Sequence, residues 1–371
     1  MSFVFSDELE ELRETVRSFL EQKSSEAAVR DLIDSERGYD EAVWKQMAEQ
    51  LGLQGLAIPE EYGGSGFGFV ELGVVLEEMG RVLLCAPFFS TVVLAANALL
   101  CSGDDGAMKE WLPGIASGET IATLALAEES GRWDSDGIAA TASASSGEWT
   151  ITGTKSFVVD GEVADLLVVA ARTGAGVSLF AVRSDAAGLT RTRLTTLDLT
   201  RRQARIDLDG TPATLIGTDG GGAAIIDQVL QLTAVGLACE QVGASQYLLD
   251  MAVAYAKERV QYGRAIGSFQ AIKHKCANML MVVETAKSAA YNAAGCAAEG
   301  NDELPEAAAL AKVCCSETFL QVSADNIQVH GGMGYTWEHP AHLYYRRAKS
   351  SELLYGDPSF WRARLADCIG M

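Results

Sequence analysis

Positive charge is what this sequence is short of. Its 29 Lys and Arg residues face 50 Asp and Glu, a formal net charge of −21 at pH 7, and that balance argues against nucleic acid or an anionic membrane as the main partner. A phosphate-bearing ligand would have to be met by local basic groups and helix N-termini. Metal-ligand spacing is missing as well. The eight cysteines form no CxxC and no Cys/His pattern; they sit among apolar neighbours, as in Leu84-Cys85, Ala238-Cys239 and Val313-Cys314-Cys315. They read as reduced core thiols of a cytoplasmic protein, with no metal site indicated. The opening MSFVFSDELEELRE lacks the apolar run of a signal peptide. The runs Val92 to Leu100 and Leu166 to Ala171 are too short to span a bilayer, so no membrane partner is expected. Low-complexity tracts and internal repeats are also lacking.

With 371 residues and 48% hydrophobic content, the chain can bury a large core and should divide into two or three domains. From Ser6 to about Gly118 the pattern is helical. Ser6-Asp-Glu-Leu is a helix start, and Leu9, Leu12, Val16, Phe19 and Leu20 mark one buried face. Ile58-Pro-Glu-Glu-Tyr-Gly-Gly-Ser-Gly66 is a turn-rich loop that opens a second long helix through Glu77 and Glu78. Between about Glu119 and Gly217 the period changes to two, with short strands at Trp149 to Thr152, Ser156 to Val159, Leu166 to Ala170, Ser178 to Val182 and Arg205 to Gly210. From Gly222 helices return. Ile225 to Tyr255, apolar nearly all round, suits the central helix of a bundle, followed by helices at Phe269 to Glu299, Glu306 to Gln328 and Ser350 to Cys368. The expected fold is mainly α with a central β domain: 1–118 helical, 119–217 β, 218–371 helical.

The stretch Gln328 to Lys349, QVHGGMGYTWEHPAHLYYRRAK, begins inside a helical pattern and breaks on Gly331-Gly332 and again on Gly334. Glycines at such a break let backbone N–H groups approach a ligand that a Cβ would keep away. A plain helix C-cap and turn would use the same residues. Upstream lies Arg259-Val-Gln-Tyr-Gly-Arg-Ala-Ile-Gly-Ser-Phe-Gln270. Together the two segments resemble the acyl-CoA dehydrogenase family, whose signatures are R-x-x-F/Y-G-x-x-I-x-x-F-Q and Q-x-x-G-G-x-G-Y, and the resemblance runs over the whole chain. It implies an N-terminal helical domain, a middle β-barrel-like domain and a C-terminal four-helix bundle. It also implies FAD as cofactor, a tetramer, and flavin-dependent α,β-desaturation of an acyl-CoA thioester in lipid β-oxidation, with an electron-accepting flavoprotein as partner.

That chemistry needs a base to take the α-proton while hydride leaves the β-carbon for the flavin; the protein supplies position, electrostatics and the base. The resemblance points to three groups of residues. The first reaches across to the flavin of a neighbouring subunit and corresponds here to Arg259 on the pyrophosphate, with Gln261, Tyr262, Gln328, Gly331 and Gly332. Arginine suits the task because its planar fork never loses its charge; a surface ion pair with Glu258 would be its alternative use. The second group holds the subunit's own flavin ring and is eroded. Where the family has T-E-P-x-A-G-S-D and K-x-W-I-T-N-G, this chain has Ala127-Glu-Glu-Ser-Gly-Arg-Trp-Asp134 and Lys155-Ser-Phe-Val-Val-Asp-Gly161. Ala127 and Val159 replace two threonine hydroxyls, each worth about 1 kcal/mol, while Phe157 can still stack in place of the tryptophan.

The third group is the base. Tyr355 stands where most of the family has its glutamate, and Thr233 where a smaller branch has one on the central helix; neither is a competent base near neutral pH. Glu240 lies on the same helix face but about 10 Å further along the axis. Asp357 could bend in, although Gly-Asp-Pro-Ser suits a helix N-cap or turn. His330 and His339 flank the glycines and fit structural roles. Ala234, Gly236 and Ala238 would leave room for a branched or ring-bearing acyl group, or serve close helix packing. With the catalytic base unassigned, the first reading is one subunit of a mixed oligomer whose homologous partner carries the glutamate. The others are a self-sufficient homotetramer with a relocated base, Glu240 or Asp357, and a flavin-free helical scaffold of the same fold.

Overall fold

The computed structural model describes residues 6–371, so the first five residues of the expected N-terminal domain lie outside the described residues. Six helices lead: α1 (Asp7–Lys23), α2 (Glu26–Asp34), α3 (Glu41–Glu49), α4 (Phe69–Arg81), α5 (Asn97–Ser102) and α6 (Asp105–Ala116), with a π-helical segment at Phe89–Ala96. Ser6 caps α1 through its hydroxyl, which accepts from Leu9 N–H at 3.3 Å. Val16 and Leu20 are fully buried, whereas Leu9, Leu12 and Phe19 of the same expected face are only half-buried.

Seven strands follow: β1 (Ala122–Ala125), β2 (Thr141–Ser145), β3 (Glu148–Val159), β4 (Leu166–Arg172), β5 (Val177–Arg183), β6 (Leu189–Arg193) and β7 (Gln203–Ile216). Pairing runs β4 to β2, β2 to β3, β3 to β7, β7 to β5 and β5 back to β4, so the sheet closes on itself. Closure removes free edges, and Ile151, Leu167, Val169, Phe180, Val182 and Ile206 fill the interior. The two strands expected at 149–152 and 156–159 are one, β3, irregular at Ile151/Gly153 and at Lys155/Val158.

The chain then forms α7 (Gly222–Glu258), a two-stranded hairpin of β8 (Val260–Gln261) and β9 (Arg264–Ala265), α8 (Gln270–Glu299), α9 (Leu304–His330), α10 (Ala341–Leu353) and α11 (Pro358–Cys368). One helix, α7, is long and apolar enough to cross a membrane by length and composition, contrary to the expectation that no segment is. Burial explains the composition: α4, α8 and α9 surround α7, so it has almost no face to give to charge. The helix expected at 350–368 is two helices. They part at Leu354–Asp357, where Tyr355 and Gly356 take φ of +58° and +103°, a region a helix cannot continue through. The cysteines are free, half of them buried, with Cys368 exposed rather than in the core.

Candidate functional site

The first signature folds as an arm at the end of α7. Tyr262 and Gly263 have φ of +53° and +78°, the pair of positive values a type I′ turn demands, and β8 and β9 pair on either side of it. Arg259 begins the arm, its N–H donating to Tyr255 O at 2.9 Å and its carbonyl accepting from Ile266 N–H at 2.8 Å. Its guanidinium is exposed and makes no ion pair among the described residues, so the pairing with Glu258 is not found. Gln261 is exposed, donating to Val260 O at 2.9 Å, and Tyr262 is 92% exposed. Arg264, also exposed, covers the Phe269 ring at 4.0 Å.

The second signature ends α9 beside this arm. Tyr255, one turn before Arg259, stacks on His330 with centroids 4.3 Å apart. Gln328 is exposed. Gly331 takes φ +61°, and a Cβ on Gly331 or Gly332 would meet nothing within 4 Å, which leaves both backbones open to an approaching group. Gly334 serves packing, since its Cβ would fall 2.8 Å from Ile327 O.

The ring-binding group lies elsewhere. Between the β domain and α10–α11 opens a cleft of about 750 Å³, lined by Trp133, Phe157, Leu197, Gln203, Leu353 and Phe360 among others, a volume within the usual ~300–1,000 Å³ of ligand pockets. Phe157 is held at φ +56° and is 43% exposed, as a stacking residue should be. Ala127 and Val159 are not on the cleft wall; they are 1% and 0% exposed. What replaces the lost polarity is structural. Glu128 accepts from Ala139 and Ala140 N–H at 2.9 and 3.0 Å and from Lys155 Nζ at 2.5 Å. Burial pushes the Lys155 ammonium down to about 8, with Glu128 opposing. Within one chain the cleft and the arm do not share lining residues.

Three of the four positions from which a base could act are buried, while Asp357 is exposed on the wall of the cleft. Tyr355 is 2% exposed, its ring 4.7 Å from Trp133 and 6.4 Å from Phe89. Burial pushes its phenol well above the ordinary range, with Arg201 opposing. Thr233 is fully buried and donates to Val229 O at 2.7 Å. Glu240 is clamped: Arg347 Nη1 meets Oε1 at 2.6 Å, and Arg201 Nη2 meets Oε2. Burial alone would raise this carboxyl, but the two guanidiniums hold it below the usual carboxylate range. Asp357 caps α11, accepting from Phe360 N–H at 2.8 Å. The space around Glu240, Phe89, Met79 and Leu76 is a small cavity of about 30 Å³, room for about two waters. The slim stretch of α7 serves packing, since a Cβ on Gly236 would meet Val93 Cγ1 at 2.9 Å.

Sequence reasoning missed the centre of this cluster. Arg347 also donates to Asp198 Oδ2 at 2.8 Å and to Thr200 Oγ1 and O at 2.6 and 3.1 Å, tying α10 to the loop after β6. A signal was present: Tyr344, Arg347, Ala348 and Ser351 form one buried stripe of α10, a cation at a core position. Asp160 faces the same cluster and accepts from Ser90 Oγ at 2.7 Å. Burial pushes its carboxyl up to about 6, against Ser90 and nearby arginines.

Comparison with known proteins covers the same three regions. The family descriptions "Acyl-CoA dehydrogenase, N-terminal domain", "middle domain" and "C-terminal domain" match residues 6–119, 123–207 and 220–368. Acyl-CoA dehydrogenase IpdE2 of Mycobacterium tuberculosis is 36% identical, over 95% of this chain and 94% of its own. Among solved structures, the Tcur3481-Tcur3483 steroid ACAD G363A variant is similar with a TM-score of 0.89 and 32% identity, covering 98% of each chain. The ChsE4-ChsE5 complex from Mycobacterium tuberculosis gives 0.91 and 28%, covering 100% of this chain and 99% of that one.

Proposed function

Because this chain belongs to the acyl-CoA dehydrogenase family while Tyr355, Thr233 and Glu240 are buried, we propose that it is one subunit of a mixed, flavin-dependent acyl-CoA dehydrogenase whose homologous partner carries the catalytic glutamate. The carrying observation is that Tyr355 and Thr233 are buried, 2% and 0% exposed, and that Glu240 on α7 is held by two arginines. The groups that look outward are left uncommitted. Arg259 offers an exposed guanidinium fork to a pyrophosphate, and the open backbones at Gly331 and Gly332, with Gln328, suit its adenosine side. FAD, when bound, takes the hydride from the acyl β-carbon. This chain's part is to hold the dinucleotide tail of the partner's flavin, while Phe157 and Trp133 line a cleft whose ring contacts are weakened at Ala127 and Val159. The acyl group belongs to the partner's side; a ring-bearing class accords with the relative named a steroid ACAD. Electrons would pass on to an acceptor flavoprotein.

The test is turnover. The chain purified alone with added FAD should oxidise acyl-CoA at least about 10²-fold more slowly than the assembly formed by co-expression with a glutamate-bearing homologue, the usual cost of lacking a general base. Robust turnover by the chain alone that disappears in Glu240→Gln would remove the reading and make Glu240 the base.

A further inference from the structure

Histidine is the scarcest titratable side chain here, with four in the sequence, and three of them meet around the glycine-rich arm. His330 ends α9 and His339 precedes α10; their rings lie 4.4 Å apart, on either side of the Gly331–Tyr335 turn. His342, in the first turn of α10, stacks on Trp337 at 4.4 Å. Hydrogen bonds place one proton on His330 and on His342 and keep one nitrogen of His339 unprotonated. His330 Nδ1 faces Asn326 O at 2.8 Å and must donate. His339 Nδ1 accepts from Ala341 N–H at 3.2 Å, so it carries no proton. His342 Nε2 donates to Trp337 O at 3.2 Å, which leaves a buried Nδ1 with no partner among the described residues.

A second proton is unwelcome on each of these rings. On His339 it would break the bond to Ala341 N–H, at the positive end of the α10 dipole. On His342 it would bury a donor with no acceptor. The charges around the cluster do not compensate. From α2 come Arg30 and Glu26, which pair with each other at 2.9 Å. From α10 comes Arg346, over the Trp337 ring at 5.4 Å, from α7 the Tyr255 ring on His330, and from the loop itself Glu338, which interacts with Thr336. Burial lowers all three histidines, with the neighbouring rings and Arg30 adding to it at His339.

We propose that His339 and His342 form a proton-sensitive latch that holds the loop after the Gly331–Tyr335 turn to the start of α10 and, through the ring of His330, to the end of α9, and that releases this glycine-rich arm on acidification. This inference regulates the contact assigned above to the partner's flavin and rests on that reading for its consequence. The latched state favours the neutral rings, so latching is fully present above the ordinary histidine value of about 6.5 and weakens as pH falls below it.

Hydrogen exchange across residues 331–345, corrected for the intrinsic pH dependence, reads the latch without reference to flavin. Between pH 7.5 and 5.5 the wild-type oligomer should lose protection several-fold, because each added proton weighs against the latched state. His339→Asn keeps an acceptor where Nδ1 lies, and His342→Gln keeps a donor where Nε2 lies; the double variant should hold its protection at both pH values. The single His342→Gln, showing a partial effect and a wild-type melting temperature at pH 8, separates the latch from misfolding. Protection that survives acidification in the wild type, or falls equally in the double variant, overturns the latch. Flavin content of the mixed assembly at the same pH values keeps the two readings apart: release of the arm with full flavin retention supports the latch and removes the arm's assignment to flavin.

Discussion

Asp160 carries a test of the buried cluster by itself. It sits where the resemblance has asparagine, on a loop with φ +53°, and its carboxyl is pushed up to about 6 by burial. A folded value above the unfolded one means that the carboxyl's contribution is fully present below the unfolded value near 3.9 and is lost as pH rises through about 6. Asp160→Asn keeps an oxygen to accept from Ser90 and never ionises. The variant should therefore melt higher than wild type at pH 7 to 8 and equal to it at pH 4, as followed by circular dichroism. An unchanged difference across that range would mean that the arginines around Asp160 hold it ionised throughout. A single position also set the limit of the sequence reading: Tyr355 could be seen to lack base strength, but not that it would be enclosed by Trp133 and Phe89, which come from two other regions of the chain.

At the scale of elements, what was legible in the sequence was local. The helix break at the glycines and the cap at Ser6 follow from residues a few positions apart, where turn and cap chemistry acts, whereas the hairpin after α7 was not read. The strands of the β domain that escaped notice lack the alternation that marks a half-buried strand: β1 is buried at all four residues, β2 buries only Ala142, and β6 is the mostly exposed run LTRTR. The split between α10 and α11 depends on tertiary contacts, since Trp361 Nε1 donates to Tyr355 O at 3.0 Å and Lys312 Nζ to Ser351 O at 2.9 Å. The Arg347 lock is the least legible, because its partners lie 107 and 149 residues away. It is also the strongest tie between α10, α7 and the β domain. Removing one member of a buried pair leaves the others undercompensated, typically at about 3–5 kcal/mol, so Arg347→Met should lower the urea midpoint markedly, with Glu240 keeping Arg201 and Asp198 keeping its bonds from Thr200. A midpoint shift worth less than about 1 kcal/mol would place the pair among weakly coupled surface ion pairs.

For the whole molecule the division of labour is spatial. The features that would serve a reaction within this chain are closed, at Tyr355, Thr233 and Glu240, whereas the arm at the end of the bundle presents Arg259, Gln261, Gln328 and open glycine backbones to the outside. Arg259 is one of several exposed cations that make no ion pair among the described residues, and it begins the arm that lies beside the open glycine backbones. Its natural counterpart is an anion brought by another chain, and a pyrophosphate meets that need with paired oxygens for the guanidinium fork. The consequence is an effect in trans. Arg259→Ala leaves this chain's core untouched, so the mixed assembly should keep its native mass and melting temperature. Its flavin, held on the partner, should nevertheless dissociate more readily: losing a charged hydrogen-bonding partner costs about 1.5–3 kcal/mol, or roughly 10- to 150-fold in Kd. The measurement is the 450 nm flavin band per assembly after dilution and filtration, compared with wild type. Flavin retention equal to wild type in an intact assembly would take Arg259 out of the site and leave the arm as a protein contact alone.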